Sequence, residues 1–284
     1  RGFRAVERMR LIEGVEIKAL CDLSEDKVNK AQKTIEEMGL PAAKAYVGDS
    51  ETWKELCLNP DLDLIYIATP RELHTEMCVM AMENDKHAAT EIPAALNLED
   101  AWKLVEVSER TKKHCSMLEN CTYAFWELMT LNMARQGFFG EVVHVDAGYL
   151  HDQRAINTDK NKEWRLKEFI NRNGNIYPTH GLGPACQLLD VNRGDRLDYL
   201  VSTSSNDFTM GAKIEELAKD DDFYTKYIGQ WELGNMNTST IRTKKGKTIM
   251  LQYNVSNPRP YDRIQQVVGT KAITKKYPFP SKIA

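Results

Sequence analysis

The chain has 284 residues, a formal net charge of −3, 42% hydrophobic and 28% charged residues. That is the balance of a globular protein of about two domains. It lacks the basic excess of a nucleic-acid binder, and no apolar run reaches the roughly 18 residues of a membrane span.

Arg1-Gly2-Phe3-Arg4 reads as the end of a loop entering a helix, and Tyr277-Pro278-Phe279-Pro280-Ser281-Lys282-Ile283-Ala284 stops without a clear terminal element. Both ends are expected to be cut from a longer chain. Residues 15–21 read as a short strand ending at Asp22, with Ser24 as N-cap of a helix over 25–38 closed by Gly39. Residues 45–47 form a short strand, and Asp49 or Ser50 caps a helix over 51–58. Residues 62–68 read as a strand buried on both faces, followed by a helix over 73–83, a strand over 87–90 and an Asn97-capped helix through Ser108. Strands alternating with helices imply parallel βαβ units.

The second half has a different rhythm. Residues 141–150 alternate apolar and polar side chains, the pattern of a half-buried strand. Further strands are expected over 196–204, 237–242 and 248–254, with a helix over 123–136 joining the halves. The fold class is therefore α/β. A Rossmann-type parallel sheet, its first strand missing from this chain, occupies 1–121. An α/β domain on an open, mainly antiparallel sheet occupies 122–284. The six cysteines form no C-x-x-C pair and read as buried free thiols rather than a disulfide framework or a metal site.

Asp22 follows a strand and precedes a helix. A carboxylate there can accept both ribose hydroxyls of a dinucleotide and repel a 2′-phosphate, which favours NAD; it could equally cap the helix. The glycine turn expected about 20 residues upstream is represented only by Arg1-Gly2. Cofactor binding by this chain alone is thus in doubt. His74 follows Ala68-Thr69-Pro70 on a first helical turn, where it could touch a nicotinamide ribose or simply face solvent.

Asn173 to Pro184 is the densest stretch of chemistry. It places Tyr177, Thr179 and His180 among three glycines and two prolines. Glycine permits close backbone approach and proline fixes φ, so the polar groups sit on a stiff frame. A helix entrance with a buried, satisfied histidine is the plainer alternative.

Ile67-Ala68-Thr69-Pro70-x-x-x-His74 and His87-x-x-x-Glu91-x-Pro93 resemble the Gfo/Idh/MocA oxidoreductases. Sugar dehydrogenases of that family carry Glu-Lys-Pro where this chain has Glu91-Ile92-Pro93, and isoleucine can neither take nor give a proton. Glu-aliphatic-Pro, Glu119-Asn120-Cys121-x-Tyr123, Gly148-Tyr149-Leu150-His151 and the 173–184 motif look like glycoside hydrolase family 109, the NAD-dependent α-N-acetylgalactosaminidases.

This resemblance implies NAD contacts at Arg1, Asp22, Arg71, Glu72, Leu73, His74, Glu91, Ile92, Asn120 and Tyr177. It implies sugar contacts at Tyr149, Tyr177, Pro178, Thr179, His180, Arg165 in a loop-like stretch, and Tyr261, with Tyr253 as a competing tyrosine. Glu119 and His151 are further substrate-side candidates. His180, Tyr149 and Tyr177 are the candidate proton-transfer groups, and no metal is expected.

The implied reaction oxidises C3 of a terminal α-N-acetylgalactosaminide or related glycoside, eliminates the C1 substituent, adds water and reduces C3 again. The rivals are an NAD-dependent sugar or cyclitol dehydrogenase and a non-catalytic sugar- or nucleotide-binding protein. The open second sheet is a candidate homo-oligomer surface. Export would require a leader upstream of Arg1; otherwise the protein is expected in the cytoplasm.

Overall fold

Parallel βαβ alternation in the first half and long alternating strands in the second give two compact units, Arg1–Leu118 and Glu119–Ala284. They are described by a computed structural model that covers residues 1–9 and 11–284.

Unit 1 runs α1 (Gly2–Met9), β1 (Ala19–Cys21), α2 (Glu25–Glu37), β2 (Lys44–Tyr46), α3 (Thr52–Leu58), β3 (Leu64–Ile67), α4 (His74–Glu83), β4 (His87–Thr90), α5 (Leu98–Thr111) and β5 (Cys115–Met117). Local chemistry sets several of these starts. Asn97 accepts the Asp100 amide at the head of α5, and Asp49 accepts the Glu51 amide before α3. Ser24 forms no side-chain cap. Instead Asp22 Oδ1 accepts the Ser24 amide at 3.0 Å and fixes the turn into α2.

All strand pairs of unit 1 are parallel, but they fall in two pieces, β1-β2 and β3-β4-β5. Ala19 of β1 packs on the same apolar cluster that holds Ile65 and Ile67 of β3, Met77, Cys78 and Met82 of α4, and Leu104 and Val107 of α5. The expectation that 62–68 is buried on both faces is corrected. β3 is an edge strand, and Leu64 is 50% exposed because only one of its sides meets a neighbouring strand among the described residues. The 15–21 strand likewise shortens to three residues, with Val15 and Cys21 exposed, so Cys21 is not a buried thiol.

Unit 2 runs α6 (Phe125–Arg135), β6 (Val142–Leu150), α7 (Arg154–Asn157), α8 (Glu163–Phe169), α9 (Thr179–Leu188), β7 (Leu197–Ser204), α10 (Met210–Ala218), β8 (Asn237–Thr243), β9 (Thr248–Asn254), β10 (Gln265–Gly269), β11 (Ile273–Lys275) and β12 (Lys282–Ile283). The sheet order is β12-β11-β10-β6-β9-β8-β7, antiparallel except for β6 with β9. The segment expected to end without structure therefore supplies β12. Arg165, expected in a loop, lies on α8.

One face of this sheet buries Val145, Ala147, Ile249 and Leu251 against Ala185 and Leu188 of α9. The approach is close at Gly181. A Cβ there would lie 2.7 Å from Leu251 Cδ1 and 2.9 Å from the Gly148 nitrogen. Gly181→Ala is expected to push α9 off β6, destabilising unit 2 by about 1–3 kcal/mol in urea denaturation.

Candidate active site

β6 carries Tyr149 to its end, and His151 continues on the same face two residues on. α9 starts directly over this strand, so its second residue, His180, is set above Tyr149. The ring centroids of Tyr149 lie 5.1 Å from Tyr177, 5.2 Å from His180, 6.1 Å from His151 and 6.2 Å from Tyr261. Tyr177 meets His180 edge-on at 4.8 Å. Five rings from three stretches of sequence thus form one cluster within unit 2. Tyr261 is part of it, whereas Tyr253 is buried in the apolar core beside α8 and α10.

His180 Nδ1 lies 2.6 Å from Glu119 Oε1, and both residues are buried. Glu119 Oε1 also accepts the Cys121 amide at 2.7 Å. An ionised carboxylate can only accept, so Nδ1 carries a proton and Nε2 is the nitrogen left free to exchange one. Burial raises the Glu119 carboxyl, but the hydrogen bond and charge of His180 and the Cys121 amide outweigh it and hold the group below its ordinary value. Glu119 Oε2 and Thr179 Oγ1 are buried beside this pair, and the Thr179 hydroxyl also helps to hold the carboxyl low.

Below the rings lies a charged network that the sequence did not reveal. Glu127 Oε1 accepts both Arg263 at 3.0 Å and Lys276 at 2.6 Å, and Arg263 also reaches Cys121 Sγ. Burial pushes Tyr261 up to about 12, against the opposing charge of Arg263, so its phenol stays protonated and serves as a donor. Glu119, Cys121 and His180 present metal-type donors within 4.8 Å of one another. Glu119 and His180 are bonded to each other, and burial pushes the Cys121 thiol up to about 11, keeping it protonated. Arg165 stacks its guanidinium over Trp164 at 4.6 Å. Pro178 precedes the first turn of α9 as its N-cap.

Unit 1 collects its candidates at the carboxyl ends of its strands. Asp22 follows β1, and its local bonds to Ser24 and Lys27 both fall on Oδ1. Arg71–Leu73 form a 3₁₀ turn after β3. His74 is only 2% exposed, with Nδ1 at 2.7 Å from the Pro93 carbonyl and Nε2 at 3.0 Å from that of Thr69. It ties the turn after β3 to the Glu91-Ile92-Pro93 turn after β4. Glu91 accepts the Tyr66 hydroxyl at 2.9 Å, and Ile92 is half-buried. Arg1 and Glu72 are exposed in unit 1, as is Asn120 in unit 2. Gly2, at the start of α1, sits beside Ala68, so a helix N-terminus meets the end of β3.

Residues 123–283 match the family described as glycosyl hydrolase 109, C-terminal domain, and residues 4–119 match the oxidoreductase family with an NAD-binding Rossmann fold. The chain is 48% identical over 289 residues to an alpha-N-acetylgalactosaminidase of Bacteroides fragilis, covering 99% of this chain and 67% of that protein. It is 46% identical over 279 residues to a glycosyl hydrolase family 109 protein of Porphyromonas gingivalis, covering 98% of this chain and 58% of that one.

The chain belongs to glycoside hydrolase family 109.

It spans about three-fifths to two-thirds of the length of these relatives. Among solved structures, scyllo-inositol dehydrogenase from Lactobacillus casei with bound NAD(H) and scyllo-inositol shares the fold. It superposes with a TM-score of 0.71 at 13% identity, over 98% of this chain and 73% of that one. An NAD-binding oxidoreductase from Klebsiella pneumoniae gives 0.73 at 18% identity, over 96% and 68%. Unit 1 of this family 109 chain is therefore a Rossmann-type NAD-binding domain joined to a family-specific second domain.

The depressed Glu119 carboxyl links this site to stability. A carboxyl lowered on folding stabilises fully above its unfolded value, and that contribution disappears as pH falls through the folded value. The unmodified protein should lose more stability than Glu119→Gln between about pH 5 and pH 3, read by urea midpoints. Equal acid slopes would show that folding does not lower the Glu119 carboxyl.

Proposed function

We propose that the protein hydrolyses a terminal α-N-acetylgalactosaminide, or a closely related glycoside, through transient oxidation at C3. The observation that carries this reading is the buried Glu119–His180 pair in contact with Tyr149 and Tyr177, on a chain whose Glu91-Ile92-Pro93 turn lacks an ionisable middle residue. A single imidazole aligned by a carboxylate suits removal of a hydroxyl proton. Two opposed carboxylates, the usual glycosidase equipment, are not needed by NAD-dependent families.

The residues present fit the cofactor. Asp22 offers an acceptor for ribose hydroxyls, and the start of α1 offers backbone N–H groups of the kind that hold phosphates. Asp22, Arg71 to His74, Glu91, Ile92, Asn120 and Tyr177 are the groups assigned to it, with Arg1 beside them. Bound NAD⁺ supplies a reversible hydride acceptor for the sugar C3–H.

His180 Nε2 takes the O3 proton, with Nδ1 held on Glu119. Tyr177, edge-on to His180, orients the O3 side of the ring. Once C3 is a ketone, the C2–H is acidic. Tyr149 removes that proton, and the C–H electron pair forms the C2–C1 double bond as the C1 oxygen leaves. Water then adds its hydroxyl at C1 while its proton goes to the departed oxygen, the proton on Tyr149 returns to C2, and the hydride and the proton held by His180 return to C3 and O3. Tyr261, Thr179, His151 and Arg165 are the assigned sugar contacts, with Tyr261 donating. The same reading extends to assembly: β7 is the edge strand of the second sheet and leaves Tyr199, Leu200 and Val201 more than half exposed, an apolar run on which copies of this chain could pair.

With NAD⁺ supplied, a chromogenic α-N-acetylgalactosaminide should release its aglycone without net NADH, and the product formed in D₂O should carry deuterium at C2. His180→Ala should lower kcat by about 10²–10⁴-fold. Net NADH formation from free sugar would instead identify a dehydrogenase. No aglycone from any N-acetylhexosaminide or other glycoside panel would sink the proposal.

A further inference from the structure

The phenol of Tyr149 has a partner with no counterpart in the sequence motifs. Gln153 Nε2 donates to Tyr149 Oη at 2.9 Å. Both ends of this contact are fixed by backbone. Tyr149 is held in β6, in register with Tyr253 of β9. The Gln153 amide donates to the Val255 carbonyl at 3.1 Å, and its own carbonyl accepts the Asn157 amide at 2.8 Å. Asp152 clamps the intervening turn by accepting the Arg154 backbone amide and guanidinium. A side chain so placed cannot easily drift from the phenol.

We propose that Gln153 is a positioning residue that readies Tyr149 for proton transfer at C2, an inference that rests on the hydrolase reading above. A phenol oxygen carries one hydrogen and two lone pairs. A donor aimed at one lone pair turns the phenolic hydrogen elsewhere. It also stabilises the phenolate more than the phenol, because hydrogen bonds to charged acceptors are the stronger ones. Gln153 does this without a charge of its own, so its help does not titrate away. When Tyr149 takes the C2 proton, the new O–H forms on the oxygen that Gln153 already orients, and the C–H electron pair passes into the sugar. The bond to Gln153 weakens in that step, which makes return of the proton to C2 favourable later in the cycle.

The experiment places 3-fluorotyrosine at position 149 in the full chain and follows its ionisation by fluorine NMR. Gln153→Leu should raise the midpoint by about one pH unit. Gln153→Glu, which brings a carboxylate to the same place, should raise it further. In steady-state kinetics of the tyrosine-149 protein, Gln153→Leu should lower kcat about tenfold at neutral pH with KM little changed, and activity should recover as pH rises. A merely structural role would lower thermal stability and leave the midpoint in place. An unchanged midpoint, or one that falls because the amide oxygen rather than nitrogen faces the phenol, overturns the proposal. The fluorine titration needs no turnover, so it separates failure of this contact from failure of the hydrolase reading, which would show as no aglycone release by the unsubstituted protein.

Discussion

The approach of α9 to β6 through Gly181 is the constraint on which the site depends. No side chain separates the helix from the sheet there, and the Gly148 nitrogen and Leu251 occupy the space a Cβ would need. This puts the first turn of α9 within ring-contact distance of the end of β6. His180, Tyr177 and Tyr149 then meet without any of them spanning a gap. The apolar face of Val145, Ala147, Ala185 and Leu188 supplies the burial that keeps the helix seated.

A buried acid–base pair follows from that placement. Glu119 enters from the segment before α6 and finds His180 as its partner, so two polar groups that would each be costly alone satisfy one another. Their bond also decides which imidazole nitrogen is left free to exchange a proton. His74 braces unit 1, its ring lying between the Thr69 and Pro93 carbonyls and joining two turns.

Much of the fold was legible because its signals are local. The alternation in 141–150, the Asn97 cap and the strand at 87–90 between two helical patterns each announce themselves within a few residues. β5, β11 and β12 did not, since two or three residues carry no period. β10 hid because buried Gln265 breaks the apolar pattern of its inward face. The parallel pairing of β6 with β9 inside an otherwise antiparallel sheet has no sequence signature at all. In the site, the motifs pointed to residues on separate segments, and the ring cluster unites Tyr149, His151, Tyr177, His180 and Tyr261. Gln153 and the Glu127–Arg263–Lys276 network escaped because their partners lie far away in sequence or outside any motif, and only the folded chain brings them together.

Pro184 lies inside α9, four residues after His180. It has no amide hydrogen, so the His180 carbonyl loses the helical bond it would otherwise receive. The turn bearing the histidine is tied to the ladder behind it by one bond fewer than an unbroken helix would have. Its position is set by Glu119 and by the sheet beneath, not by helix propensity. The placement of the imidazole therefore rests on one side-chain bond and one close backbone approach, so a change at either Glu119 or Gly181 moves it.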